Sequence, residues 1–243
     1  MTRSVIRVGG EEARHFLQGL VTNDVAKLDK GLVYAAMLTP QGKYLADFFM
    51  VPDGQDVLID VDASLADGLF QRLSMYKLRS PVSLTREDMN VTCGTGPAPE
   101  RAFADPRDVS MGWRGYGVGF DATPTDWDAL RVAACIPETG IELGPDTFIL
   151  EAGFDRLNGV DFRKGCYVGQ EVTARMRHKT ELRKGLALVA INGAANPGAE
   201  ITTPEGKAAG TLHTRSGDKA IAYLRFDRAT GEMKAGEATL RRL

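Results

Sequence analysis

Two short turns constrain this chain most. Apolar runs at 32–38, 44–51 and 56–61 are separated by Pro-Gln-Gly at 40–42 and Pro-Asp-Gly at 52–54. Glycine closes each turn, where a positive φ is needed. A parallel return would require a crossover of about a dozen residues or more, so the three runs form an antiparallel meander. Ahead of it, a strand at 5–8 runs into Gly9 and Gly10. Residues 11–20 then read as a helix, with Ala13, Phe16, Leu17 and Leu20 on one face and Glu11 and Glu12 at its positive end. A second helix at 63–78 aligns Leu65, Leu69, Leu73 and Tyr76 and is stopped by Pro81. Strands at 80–85 and 90–93, an open or poorly ordered loop at 95–108 and a hairpin at 109–120 follow. A helix at 125–134, capped by Thr125, comes next.

The character changes after Leu182. Short β-like runs at 186–191, 200–203, 208–214, 219–226 and 237–243 are punctuated by Gly193, Gly198, Gly206, Gly217 and Gly231. That spacing predicts a small β-barrel. The fold class is therefore α+β: antiparallel sheets and helices in residues 1–178, with a subdomain or insertion around 85–135, followed by a barrel in residues 179–243.

A net charge of -2 argues against a direct nucleic-acid binder, and no apolar run reaches membrane-spanning length. Cys93, Cys135 and Cys166 are far apart and odd in number, which favours neither a disulfide framework nor a zinc site. A reducing cytoplasm is the expected location. The first ten residues lack a signal-peptide core, and Glu11 and Glu12 disfavour a transit peptide. The three histidines, His15, His178 and His213, show no metal-ligand spacing, and a cysteine hydrolase would need one of them within reach of its thiol.

The segment 164–171 reads Lys-Gly-Cys-Tyr-Val-Gly-Gln-Glu. Lys164 and the start of a helix at 168–177 are both placed to stabilise a thiolate on Cys166. Gly165 and Gly169 leave the sulfur open, Gln170 and Glu171 suit a helix start, and Glu171 stands four residues before Arg175. An exposed, tuned thiol and a cysteine in a tight loop-to-helix turn are both compatible with that spacing. Elsewhere, Asn23 lies in a polar loop at 21–24 that serves as a capped turn or a ligand contact. Asp47 interrupts the second run of the meander, facing solvent or a ligand. Lys77 and Arg79 suit the negative end of the second helix, a structural role that suffices, and Arg79 is also placed to reach an anion near the sheet edge. Glu151 sits among apolar neighbours at 147–158, either solvated on a helix or buried with a partner.

The 164–171 segment resembles the K-G-C-[FY]-x-G-Q-E signature of the YgfZ-type folate-binding proteins, relatives of the glycine cleavage T-protein (aminomethyltransferase). Residues 17–24, the Gly42-Lys43 hairpin, 76–79, 131–137 and 159–175 also fit. The resemblance implies an aminomethyltransferase-like folate-binding domain followed by a β-barrel, with tetrahydrofolate or a derivative in a central cleft. It implies an accessory factor for iron–sulfur cluster assembly or repair, linked in bacterial members to cluster-dependent tRNA modification. Its partners would be assembly proteins or client enzymes, met transiently. Cys166 is then the key thiol, flanked by Lys164, Gly165, Tyr167, Gly169, Gln170, Glu171 and Arg175. Asn23, Arg79 and Glu151 fall where the superfamily holds folate. Asp47 falls near the T-protein's catalytic aspartate, which keeps a folate-dependent aminomethyltransferase or demethylase-like enzyme as the alternative.

Overall fold

The meander is present in the computed structural model, which describes residues 2–78, 80–122, 124–178 and 182–243. Strands β2 (Val33–Leu38), β3 (Tyr44–Asp53) and β4 (Asp56–Asp62) pair antiparallel in succession, as the short turns require. The first strand of the chain, β1 (Arg3–Gly9), lies along β4, and β5 (Ser83–Glu87) lies along β1, giving the order β2-β3-β4-β1-β5. Strand alternation sends Ile6, Val8, Phe48, Met50 and Ile59 to one face. There they bury against Phe16 and Leu17 of α1 (Ala13–Gln18) and Leu69 and Leu73 of α2 (Ala66–Lys77).

Both helices are shorter than their apolar spacing suggested. α1 starts after Glu11 and Glu12, with no side-chain cap at Glu12. α2 starts late because Asp62 accepts from the Ser64 backbone and hydroxyl, a local turn that competes with helix.

The opposite face of the sheet carries Tyr34, Asp47, Phe49 and Asp60, all buried. Two side chains of β8 (Trp113–Tyr116) bond Asp60 there. β8 is the middle strand of a three-stranded sheet with β6 (Val91–Gly94) and β7 (Phe103–Ala104). The stretch 95–108 is thus not an open loop: it supplies β7 and the buried pair Asp105 and Arg107.

By internal contacts the chain divides into residues 1–125 with 155–172, and residues 126–154 with 173–243. The second unit opens on α3 (Trp127–Ala133), capped by Asp126, whose carboxylate accepts from the Ala129 amide, one residue beyond the expected Thr125. α3 packs on a closed barrel. The barrel strands are β9 (Lys184–Asn192), β10 (Glu200–Thr202), β11 (Ala208–Ser216), β12 (Lys219–Arg225), β13 (Glu232–Ala235) and β14 (Ala238–Arg242), in the order β10-β11-β12-β9-β14-β13. Val189, Leu212, Ala222, Leu224, Met233 and Leu240 fill it. β13 had no sequence signal of its own, since only Met233 and Ala235 alternate inward across four residues. Helix α4 (Gln170–His178) follows the thiol segment and starts two residues later than expected, because Gly169 has a φ of +83°. Among the described residues no helix is long and apolar enough to cross a membrane.

Candidate functional site

The thiol segment is held at both ends and open between. Lys164 is buried, and its ammonium donates to the carbonyls of Gln18, at 2.6 Å, and Val21. A cation there suits the negative end of α1. The same ammonium lies 4.9 Å from the centre of the Tyr167 ring, itself buried. Burial pulls the Lys164 pKa down to about 8, against the opposing charges of Asp24 and Asp161. The Val168 amide donates to the Gly19 carbonyl at 3.3 Å. Gly169 then packs where a side chain would come within 2.6 Å of the Thr39 carbonyl oxygen.

Between these anchors Gly165 and Cys166 are exposed, whereas Cys93 and Cys135 are half-buried. The lysine read as a thiol partner therefore has its ammonium committed to α1. The helix begins at Gln170, four residues beyond the sulfur. Glu171 and Arg175 are exposed on α4, and among the described contacts no ion pair joins them, so the expected i,i+4 pair is not formed.

Asn23 is a buried strut. Its amide donates to the carbonyls of Tyr34 (2.7 Å) and Asn158 (2.6 Å), and its oxygen accepts from the Asp24 amide (2.9 Å) and Lys27 Nζ (2.8 Å). These four bonds use its whole capacity. Asp47 is buried and accepts from the hydroxyls of Tyr34 at 2.9 Å and Tyr44 at 2.6 Å. Burial, reinforced by Asp47, raises the Tyr34 hydroxyl well above an ordinary phenol, so it stays a donor. Arg79 lies outside the described residues.

Residues 149–158 form consecutive turns rather than a helix, and Glu151, in the second unit, is buried among them. Its carboxylate accepts from Tyr223 of β12 at 2.6 Å, and Lys184 of β9 stands 3.8 Å away. Its carbonyl accepts from the Leu186 amide at 2.7 Å, which fixes the turn to β9.

A set of buried charges had no sequence signal beyond Asp60 interrupting an apolar run. Asp60 accepts from Arg3 (2.6 Å), Arg114 (2.9 Å) and Tyr116 (3.0 Å). Asp105 accepts from Arg107 (2.8 Å) and Arg114 (3.2 Å). The Arg114 and Arg107 guanidinium carbons lie 3.8 and 4.8 Å from the centre of the Phe49 ring. Burial pushes the Asp105 carboxyl up, but Arg107 and Arg114 outweigh it and hold the group below the usual carboxylate range. A second such set in the barrel unit joins the buried Arg131 to Glu142, which in turn accepts from Thr214.

Asn23 has no hydrogen-bonding capacity left over, while the Glu151 carboxylate keeps acceptor positions beyond its bond from Tyr223. Among the described residues no group of His, Cys, Asp and Glu could hold a metal ion. Cys166 is the sulfur this arrangement leaves open to a partner.

Comparison with known proteins agrees with the barrel and the fold. Residues 183–242 match the family described as CAF17, C-terminal beta-barrel domain. The chain is 32% identical to the mitochondrial iron-sulfur cluster assembly factor IBA57 of Mus musculus, over 98% of this chain and 80% of the relative. It is 29% identical to the Homo sapiens protein of the same name, over 95% and 78%. The corresponding homolog of Mycosarcoma maydis is 34% identical over 80% of this chain, which spans only 57% of that relative's length. Aminomethyltransferase T of the glycine cleavage system from Bartonella henselae superposes with a TM-score of 0.77 at 14% identity, covering 98% of this chain and 82% of that one. That likeness is one of fold. The cytoplasmic expectation is overturned: all three relatives are named as mitochondrial proteins.

Proposed function

We infer the function of this chain from the family to which it belongs, the IBA57 iron–sulfur cluster assembly factors: it acts as an accessory factor in the maturation of iron–sulfur proteins. The YgfZ-type resemblance of the thiol segment narrows accordingly to this branch of the aminomethyltransferase-like superfamily. The observation that carries the reading is the display of Cys166. Its sulfur is exposed on a segment anchored by Lys164 on one side and Gly169 on the other. A thiolate is a soft ligand suited to iron and to sulfide chemistry, and an exposed one is available to an assembly protein or client enzyme. Tetrahydrofolate is the small ligand we propose, with Glu151 the residue best fitted to its N–H edge.

An aminomethyltransferase using Asp47 is the weaker reading, because that carboxylate is already held by two tyrosine hydroxyls. Complementation of a deletion strain decides between them. The wild-type chain restores the activity of iron–sulfur enzymes, and calorimetry shows tetrahydrofolate binding without turnover of an aminomethyl donor. Restored growth with unchanged iron–sulfur enzyme activities, or donor turnover by the purified chain, would contradict the assignment.

A further inference from the structure

We infer that the turn between β2 and β3 positions the thiol segment, with Gly42 as the positioning residue; the inference rests on the reading of Cys166 as the working thiol. The turn is stiff. The Gly42 amide donates to the Thr39 carbonyl at 2.8 Å, the Thr39 amide to the Lys43 carbonyl at 2.8 Å, and the Lys43 amide to the Thr39 hydroxyl at 3.1 Å. The thiol segment lands directly on it. A Cβ at Gly169 would sit 2.6 Å from the Thr39 oxygen and 3.2 Å from the Gly42 Cα. In return, a Cβ at Gly42 would sit 2.7 Å from the Val172 Cβ and 3.3 Å from the Gly169 oxygen.

Both glycines also have positive φ, +74° at Gly42 and +83° at Gly169. The Thr39 oxygen is tied into the turn and Val172 into the first part of α4, so neither obstructing atom can swing aside. Two stretches far apart in sequence therefore meet backbone to backbone, three residues from Cys166.

Gly54 supplies an internal control. It occupies the next turn of the same meander with a φ of +63°, yet a Cβ there would meet nothing within 4 Å. The backbone alone explains glycine at 54; at 42 the contact with the thiol segment is needed as well.

Gly42→Ala and Gly54→Ala are compared by hydrogen–deuterium exchange of peptides covering residues 164–170, well below both unfolding temperatures. Gly42→Ala is expected to speed that exchange about tenfold, with Gly54→Ala at the wild-type rate. The rate at which iodoacetamide alkylates Cys166 shifts in the first variant and not in the second. Should Gly42→Ala fail to fold, Val172→Ala removes the contacting methyls without strain and gives a smaller increase in the same peptides. Equal exchange in the two glycine variants, or an increase spread over β3 and β4, overturns the inference. Client iron–sulfur enzyme activity is read alongside and falls with Gly42→Ala. Faster exchange with normal client activity supports the positioning role and counts against Cys166 as the working thiol.

Discussion

On the covered face of the five-stranded sheet, Asp60 and Asp105 are met by Arg3, Arg107, Arg114 and Tyr116. In the segment 164–171 of the same unit, Cys166 and Glu171 face solvent. Both regions are rich in groups capable of chemistry, but only one is closed. Buried charges must be paired because desolvation penalises them heavily, and the arginine face answers that demand entirely within the chain. The thiol segment meets the demand only for Lys164, which turns inward onto the carbonyls of Gln18, at the end of α1, and Val21 beyond it. The contrast separates a polar region that is closed on itself from one that leaves Cys166 exposed. Asp47 and Asp60, both set in apolar runs, are each paired within this covered face.

The contrast breaks most readily at Arg114. Arg114→Ala strips a donor from Asp60 and Asp105 together, and breaking a buried pair this way costs about 3–5 kcal/mol. Calorimetry should show a fall in Tm on the order of 10 °C; a loss below about 2 °C would mean the face is not closed. Within the thiol segment, Gly169→Ala should cost about 1–3 kcal/mol through overpacking against Thr39. Gly165→Ala, with nothing within 4 Å of its Cβ, should change stability by less than about 0.5 kcal/mol. Equal costs at the two glycines would erase the distinction between anchor and display.

The two regions also respond to opposite ends of the pH scale. Asp105 has a depressed folded-state pKa, so its contribution is present above the unfolded value of about 4 and is lost as pH falls through the folded one. Asp105→Asn should flatten the acid limb of a stability–pH curve. Lys164 is the reverse case. Its folded pKa of about 8 lies below the unfolded value of 10.5, so the unfolded chain binds more protons between them and stability rises with pH across that window. Lys164→Met should remove that alkaline rise while the acid limb set by Asp105 remains.

The meander and the barrel were legible because turn residues announce them locally: Gly42 and Gly54 in the first, Gly193 to Gly231 in the second. The arginine face was not, because the pairing of residue 60 with 114 and of 105 with 114 is set by how the sheets stack, which no local spacing encodes. Lys164 was visible as a cation beside a thiol, yet its acceptors are backbone carbonyls near residue 20, indistinguishable in sequence from any others. Gly169 was read as leaving the sulfur open, but the contact that excludes a side chain there is with Thr39 of a distant turn. Asn23 and Asp47 came together around Tyr34, each hydrogen-bonded to it, which no local spacing announced.

Cys166→Ala tests the central claim most directly. The variant is introduced into a deletion strain, iron–sulfur enzyme activities are assayed, and the Tm of the purified chain is measured in parallel. Because the thiol is exposed, the account predicts an unchanged Tm together with loss of the client activities. Wild-type client activities in the Cys166→Ala strain would contradict it.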